Sequence, residues 1–206
     1  MIDCFALLDE PRRPAIDLDA LKTKFLARSA ELHPDRSHNA GETERQAATD
    51  RYAALNSAYN MLREPKERLG HLLELERGQK PSGIESVPAK WMDGFMEVGH
   101  LCRAVDAFLA GQTKVTSPLI KVQRFQQAME WTDKLNAVAS SLNTKLEAAT
   151  GELQSLIGAW ESAPAVGDSA RAASLPLDQL ERVFRTVSFV SRWMAQLRER
   201  VVRLAF

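Results

Sequence analysis

Apolar residues recur along this chain at spacings of three and four, and runs alternating with period two do not appear, so the pattern predicts an almost entirely helical protein. Phe5 and Leu8 mark a short first helix, stopped by the two prolines of "DEPRRP". Leu18, Leu21, Phe25 and Leu32 form the stripe of a second helix, with Asp17 as its N-cap and Asp19 in its first turn. Pro34 ends it, because the residue before a proline is pushed out of helical geometry. A third helix starts near Glu42, carries Ala48, Tyr52, Leu55, Tyr59 and Leu62, and stops at Pro65. A shorter fourth piece, "KERLGHLLEL", runs up to Gly78, and Arg68 and Leu72 are expected to tie it to the helices before it. Leu18, Leu21, Phe25, Leu55, Ala58, Tyr59 and Leu62 are the expected core of this first part.

"GQKPSGIESVP", 78–88, is rich in Gly, Pro and Ser and reads as a linker. All four tryptophans, Trp91, Trp131, Trp160 and Trp193, follow it. Three apolar stripes lie in this second part: Trp91 to Phe108, Val122 to Leu156, and Leu177 to Leu204. Gly151 is a candidate break or bend in the second of them. "SAPAVGDSARAAS", 162–174, reads as a flexible connection, and Pro176 suits the first turn of the last helix. Three helices with one stripe each are expected to pack as a bundle. The expected organisation is therefore residues 1–77, a linker at 78–88, and a helical bundle at 89–206.

Composition narrows the function classes. The chain has 206 residues, 45% apolar and 26% charged, with 27 residues of each sign. A neutral chain exerts no global pull on nucleic acid or an anionic membrane, so any partner must be recognised by a local patch. No apolar run approaches the ~18 residues of a membrane span. Cys4 and Cys102 are far apart, which suits a reducing compartment and is too few for a four-cysteine zinc site. The start, "MIDCFALLDEPRR", lacks a basic leader, and a cytoplasmic protein without a signal peptide is expected.

One short motif carries chemistry. His33-Pro34-Asp35 lies between the second and third helices. An antiparallel helix pair would hold this loop at one end. The proline ring fixes φ and lowers the entropy lost when a partner binds. A carboxylate suits an arginine fork, and a neutral imidazole offers one donor and one acceptor. A His–Asp pair can also orient a general base, but no nucleophile elbow, phosphate loop or metal-spaced cluster accompanies it. The four histidines are scattered at 33, 38, 71 and 100. Neither an enzyme nor a metal or cofactor site is expected.

The stretches "CFALLDEPRRPAIDLDALKTKFLARSAELHPDR" and "LNSAYNMLREPKERLGHLLEL" resemble the J-domain of the HscB co-chaperone family. The resemblance is closest over residues 2–77 and looser over 88–206, which has an extra loop at 162–174. It implies that His33, Pro34 and Asp35 dock where a DnaK-type chaperone's nucleotide lobes meet its interdomain linker. It implies a basic face on the second helix, for which Lys22, Lys24, Arg28 and Arg36 are the candidates. Leu26 and Ala30 stand where family members often have basic residues, so weaker or more salt-sensitive docking is expected. It further implies that the bundle binds an iron–sulfur cluster scaffold protein through an apolar patch flanked by acids. In "WMDGFMEVGHL", Trp91, Met92 and Phe95 take the apolar positions, whereas Met96 and Gly99 stand where acids are expected. The alternatives are a different client, or a bundle that serves as an oligomerisation arm through the heptad-like spacing of the last helix, giving a homodimer.

Overall fold

The computed structural model describes residues 2–33, 35, 41–81, 91–111 and 117–205, and every element among them is a helix. In chain order these are α1 (Cys4–Leu7), α2 (Leu18–Glu31), α3 (Glu42–Arg63), α4 (Pro65–Arg77), α5 (Met92–Ala110), α6 (Pro118–Glu161), α7 (Arg171–Ser174) and α8 (Leu177–Ala205). The chain forms two compact units. One comprises 1–82 and 151–184, the other 83–150 and 185–206. Residues 151–184, read in the sequence as part of the bundle, thus belong to the unit that contains α1–α4. Most of the proposed linker lies outside the described residues.

The helix ends follow local chemistry. The Asp3 side chain accepts hydrogen bonds from the backbone N–H groups of Phe5 and Ala6 and so caps α1. Asp17 does the same for α2, accepting from Asp19 and Ala20. Pro65 occupies the first turn of α4, where its missing N–H costs nothing, and separates α4 from α3. Gly78 closes α4 at φ +73°, the left-handed geometry that glycine adopts without a Cβ penalty.

In the first unit, Phe5, Leu8, Leu21, Leu55, Leu62, Leu69, Leu72 and Leu73 are fully buried. Burial of each such side chain favours folding by about 1.5–3 kcal/mol before entropy is subtracted. Arg68 is also buried, and its guanidinium donates to the Leu62 carbonyl at 2.7 Å and the Pro14 carbonyl at 3.2 Å. It ties α4 back to the end of α3 and to the segment between α1 and α2. Two expectations change here. Leu18 is half exposed, at 50%. It is the first residue of α2, and because helical side chains lean toward the N-terminus, its side chain projects past the helix end. Phe25 and Tyr59 are half-buried rather than core, their rings stacked at 4.2 Å between centroids.

The stretch 162–174 is also more than a flexible connection. It contains α7, and Arg171 is buried there with both its Nε and one terminal nitrogen 2.9 Å from the Glu76 carboxylate. Arg171 also donates to the Pro164 carbonyl at 2.6 Å. Arg77 pairs in turn with Asp178 at 2.8 Å and with Glu181.

The second unit packs α5 against parts of α6 and α8 around Trp91, Val98, Cys102, Val105, Leu135, Leu142, Phe189, Val190, Trp193 and Leu197. Arg200 holds Asp106 at 2.6 Å, tying α8 to α5. Cys102 is buried, and burial pushes its thiol up, away from the reactive thiolate. Gly151 does not break α6, which continues through it to Glu161.

Candidate functional site

Helices α2 and α3 run antiparallel, as their contacts show. Phe25 stacks on Tyr59, whereas Ser29 and His33, further along, both meet Tyr52, earlier on α3. The pair thereby brings His33 and Asp35 to the end at which the chain passes from α2 to α3. The His33 ring packs edge-on against Tyr52 at 5.5 Å between centroids. Its Nδ1 lies 3.3 Å from the Asp35 backbone nitrogen and 3.4 Å from the Asp35 carboxylate. The Asp35 side chain is 89% exposed. The loop therefore presents a carboxylate to solvent beside an imidazole braced on an aromatic ring. Pro34 and Arg36, the other two loop candidates, lie outside the described residues. The bracing role of Tyr52 was legible only as a core stripe position.

The basic candidates on α2 separate. Lys22 is exposed, and among the described residues no ion pair engages it. Lys24 and Arg28, one turn apart, are both held within the chain. The Lys24 ammonium donates to Glu10 at 2.7 Å and to the Asp9 carbonyl at 2.8 Å. Arg28 pairs with the Asp9 carboxylate. That hydrogen bond holds the Asp9 carboxyl below its ordinary range. The sequence reading passed over Asp9 and Glu10. Their signal is two adjacent acids ahead of a proline, which gives no hint of a partner 14 to 19 residues away.

In the second unit, α5 carries the three apolar candidates, and they part company. Trp91 is buried in the core, edge-on to Trp193 at 6.0 Å, with the Lys145 ammonium 5.4 Å above its ring. Met92 and Phe95 are each 44% exposed, and Met96, which the sequence pattern assigned to an expected acid, is 47% exposed. Spacings of three and four put these three on one face. Asp93 and Glu97 are exposed beside them. The exposed patch is thus Met92, Phe95 and Met96, with Trp91 as the packed residue beneath the start of the helix.

Among the described residues, no group of three or more His, Cys, Asp or Glu side chains is placed to hold a metal ion. No described helix is long and apolar enough to cross a membrane.

An antiparallel helix pair that displays a His-Pro-Asp loop, with a helical unit further along the chain, is the architecture of a J-domain co-chaperone. No family model matches the sequence. Individual relatives do. A co-chaperone protein HscB homolog from Paraburkholderia phytofirmans is 32% identical over 146 residues, which cover 66% of this chain and 77% of that protein. The homolog from Cupriavidus taiwanensis is 34% identical over 113 residues, 50% of this chain and 63% of the relative. Against that second relative the matched region spans less than two thirds of its length. Among solved structures, the chaperone HscB from Vibrio cholerae superposes with a TM-score of 0.61 over 96% of both chains at 19% identity. The human co-chaperone protein HscB does so with a TM-score of 0.63 over 98% of this chain and 81% of that one, at 17% identity. The structural likeness establishes the fold. On the sequence relationship, the chain belongs to the HscB co-chaperone family.

Proposed function

We propose that this protein stimulates ATP hydrolysis by a DnaK-type chaperone through His33, Pro34 and Asp35, and presents to it an iron–sulfur cluster scaffold protein. In this reading residues 1–77 act on the chaperone, 78–88 link the two parts, and 89–206 bind the client through Met92 and Phe95, joined by Met96. Trp91 supports that face from the core. The bond-breaking chemistry stays with the chaperone, and this chain contributes differential affinity for one of its conformations. Such coupling is typically about 1–3 kcal/mol. A cytoplasmic setting accords with two buried, unpaired thiols.

The observation that carries the proposal is the Asp35 carboxylate, exposed beside His33 while that ring is braced on Tyr52. A carboxylate in this position suits a guanidinium fork on the partner. Asp35→Asn keeps the shape and removes the charge. It is expected to abolish stimulation of chaperone ATPase while leaving the helical circular-dichroism spectrum and the melting temperature unchanged. Full stimulation by this variant would refute the docking role.

A second reading, an oligomerisation arm, is favoured by the exposure of Leu119, Val122, Phe125 and Met129 at the start of α6. Light scattering separates the two. A monomer that retains the scaffold protein in a pull-down supports the first, and a stable dimer that retains none supports the second.

A further inference from the structure

The acids that hold Lys24 and Arg28 are not equivalent. Glu10 is almost wholly buried, its side chain 2% exposed. Lys24 bonds to it at 2.7 Å, and Arg13 stands 3.7 Å away. A carboxylate withdrawn from water requires such a partner, so Lys24 is committed to the fold. Asp9, by contrast, is 65% exposed, while the two cations are alike, each more than a third exposed, so the difference lies in the acids. Water and salt compete for that pair on every side, and exposed pairs of this kind are weak. Asp9 also stands at φ +51°, in the left-handed region that Asp and Asn tolerate better than other side chains with a Cβ. This backbone geometry places its carboxylate beside α2.

Taking α2 as the docking face, as in the function proposed above, we propose that Asp9 is an exchangeable competitor for Arg28. Asp9 occupies the guanidinium in the free protein and yields it to a carboxylate of the chaperone, while Lys24 remains with Glu10 throughout. Arg28 then supplies the adjustable cationic contact, and Asp9 sets its strength. An acidic surface on the chaperone must displace an anion already in place, so docking is weaker than the positive charges on α2 alone would make it. Only the Arg28 contact is adjustable. Because Asp9 acts by competition, its influence exists only while Arg28 is present and while the ionic strength is low.

The test titrates a purified DnaK-type chaperone ATPase with wild type, Asp9→Asn, Arg28→Gln and the double variant, at low and at moderate salt. Direct binding to the same chaperone is measured in parallel. Asn keeps the left-handed backbone and removes the charge, so the fold is retained. Asp9→Asn is expected to lower the concentration for half-maximal stimulation and the dissociation constant by about 1.5- to 5-fold. That gain shrinks with added salt and is absent in the Arg28→Gln background. If wild type stimulates and Asp9→Asn matches it, or if the gain survives without Arg28, the competition is refuted while the docking reading stands. If wild type neither stimulates nor binds, the docking reading itself fails. Lys24→Gln is expected to lower the melting temperature, because it leaves the buried Glu10 with only the more distant Arg13 as counter-charge. An unchanged melting temperature would overturn the division between the two basic residues.

Discussion

His71 is a buried imidazole whose Nε2 accepts the Cys4 backbone N–H at 3.1 Å, with its ring parallel to that of Phe5. To accept that bond the ring must be neutral at Nε2, and burial pushes its pKa below the ordinary 6.5. The unfolded chain takes up a proton near pH 6.5, whereas the folded chain resists until a lower pH. Between those two values the unfolded state binds more protons, so stability rises with pH there. This contribution is complete above about pH 6.5 and is lost as the pH falls through the folded value. Wild type is therefore expected to lose more melting temperature between pH 7.5 and 5.5 than His71→Gln, whose side-chain carbonyl can accept the same hydrogen bond without titrating. Equal losses would show that His71 does not carry the dependence. Arg68 illustrates a different kind of buried charge. Desolvation pushes its guanidinium down to about 10, yet it stays protonated under ordinary conditions and spends its donors on two carbonyls.

At the scale of elements, two features of the sequence were read too locally. Gly151 suggested a break in α6, but a helix tolerates a glycine where packing on both sides holds it, at a cost of about 0.5–1 kcal/mol relative to alanine. A Cβ built at Gly151 meets nothing within 4 Å. Gly151→Ala is accordingly expected to stabilise the protein by about 0.4–1 kcal/mol in denaturant titration. The second feature is the 162–174 segment, whose Ser, Ala and Gly content is that of a loop. Arg171 orders it through a carboxylate 95 residues earlier, and no local pattern announces so distant a partner. Arg171→Ala leaves Glu76 buried with Arg12 at 3.9 Å as a poor substitute. A cost toward the lower part of the ~3–5 kcal/mol typical of a broken buried pair is expected, read as a lowered denaturant midpoint. The elements that were legible share a trait. Asp17, Pro65 and Gly78 act on the backbone within a few residues, so the start of α2 and both limits of α4 follow from sequence alone.

For the molecule as a whole, the same distinction separates what the sequence disclosed about function from what it did not. The His33-Pro34-Asp35 loop is contiguous, and its family resemblance could be read directly. The α2 charges and the α5 apolar face depend on what lies opposite. Lys24 looks like any solvated lysine until Glu10 is placed beside it. Trp91 looks like an interface anchor until Trp193 is found against its ring, while Met96 looks like a missing acid until its exposure beside Met92 and Phe95 is known.

The membership of 151–184 in the same compact unit as α1–α4 bears on any attempt to excise the part proposed to act on the chaperone. A fragment ending at residue 77 would be cut loose from Phe184, whose ring lies 3.1 Å from where a Cβ on Gly70 would stand, and from the Arg171 guanidinium. It would retain Glu76 as an acid stripped of its chief counter-charge on a newly bared apolar surface. Such a fragment is expected to melt well below the parent and to clump on concentration, whereas one with 151–184 grafted back through a short tether would regain cooperative unfolding, as calorimetry of the two would reveal.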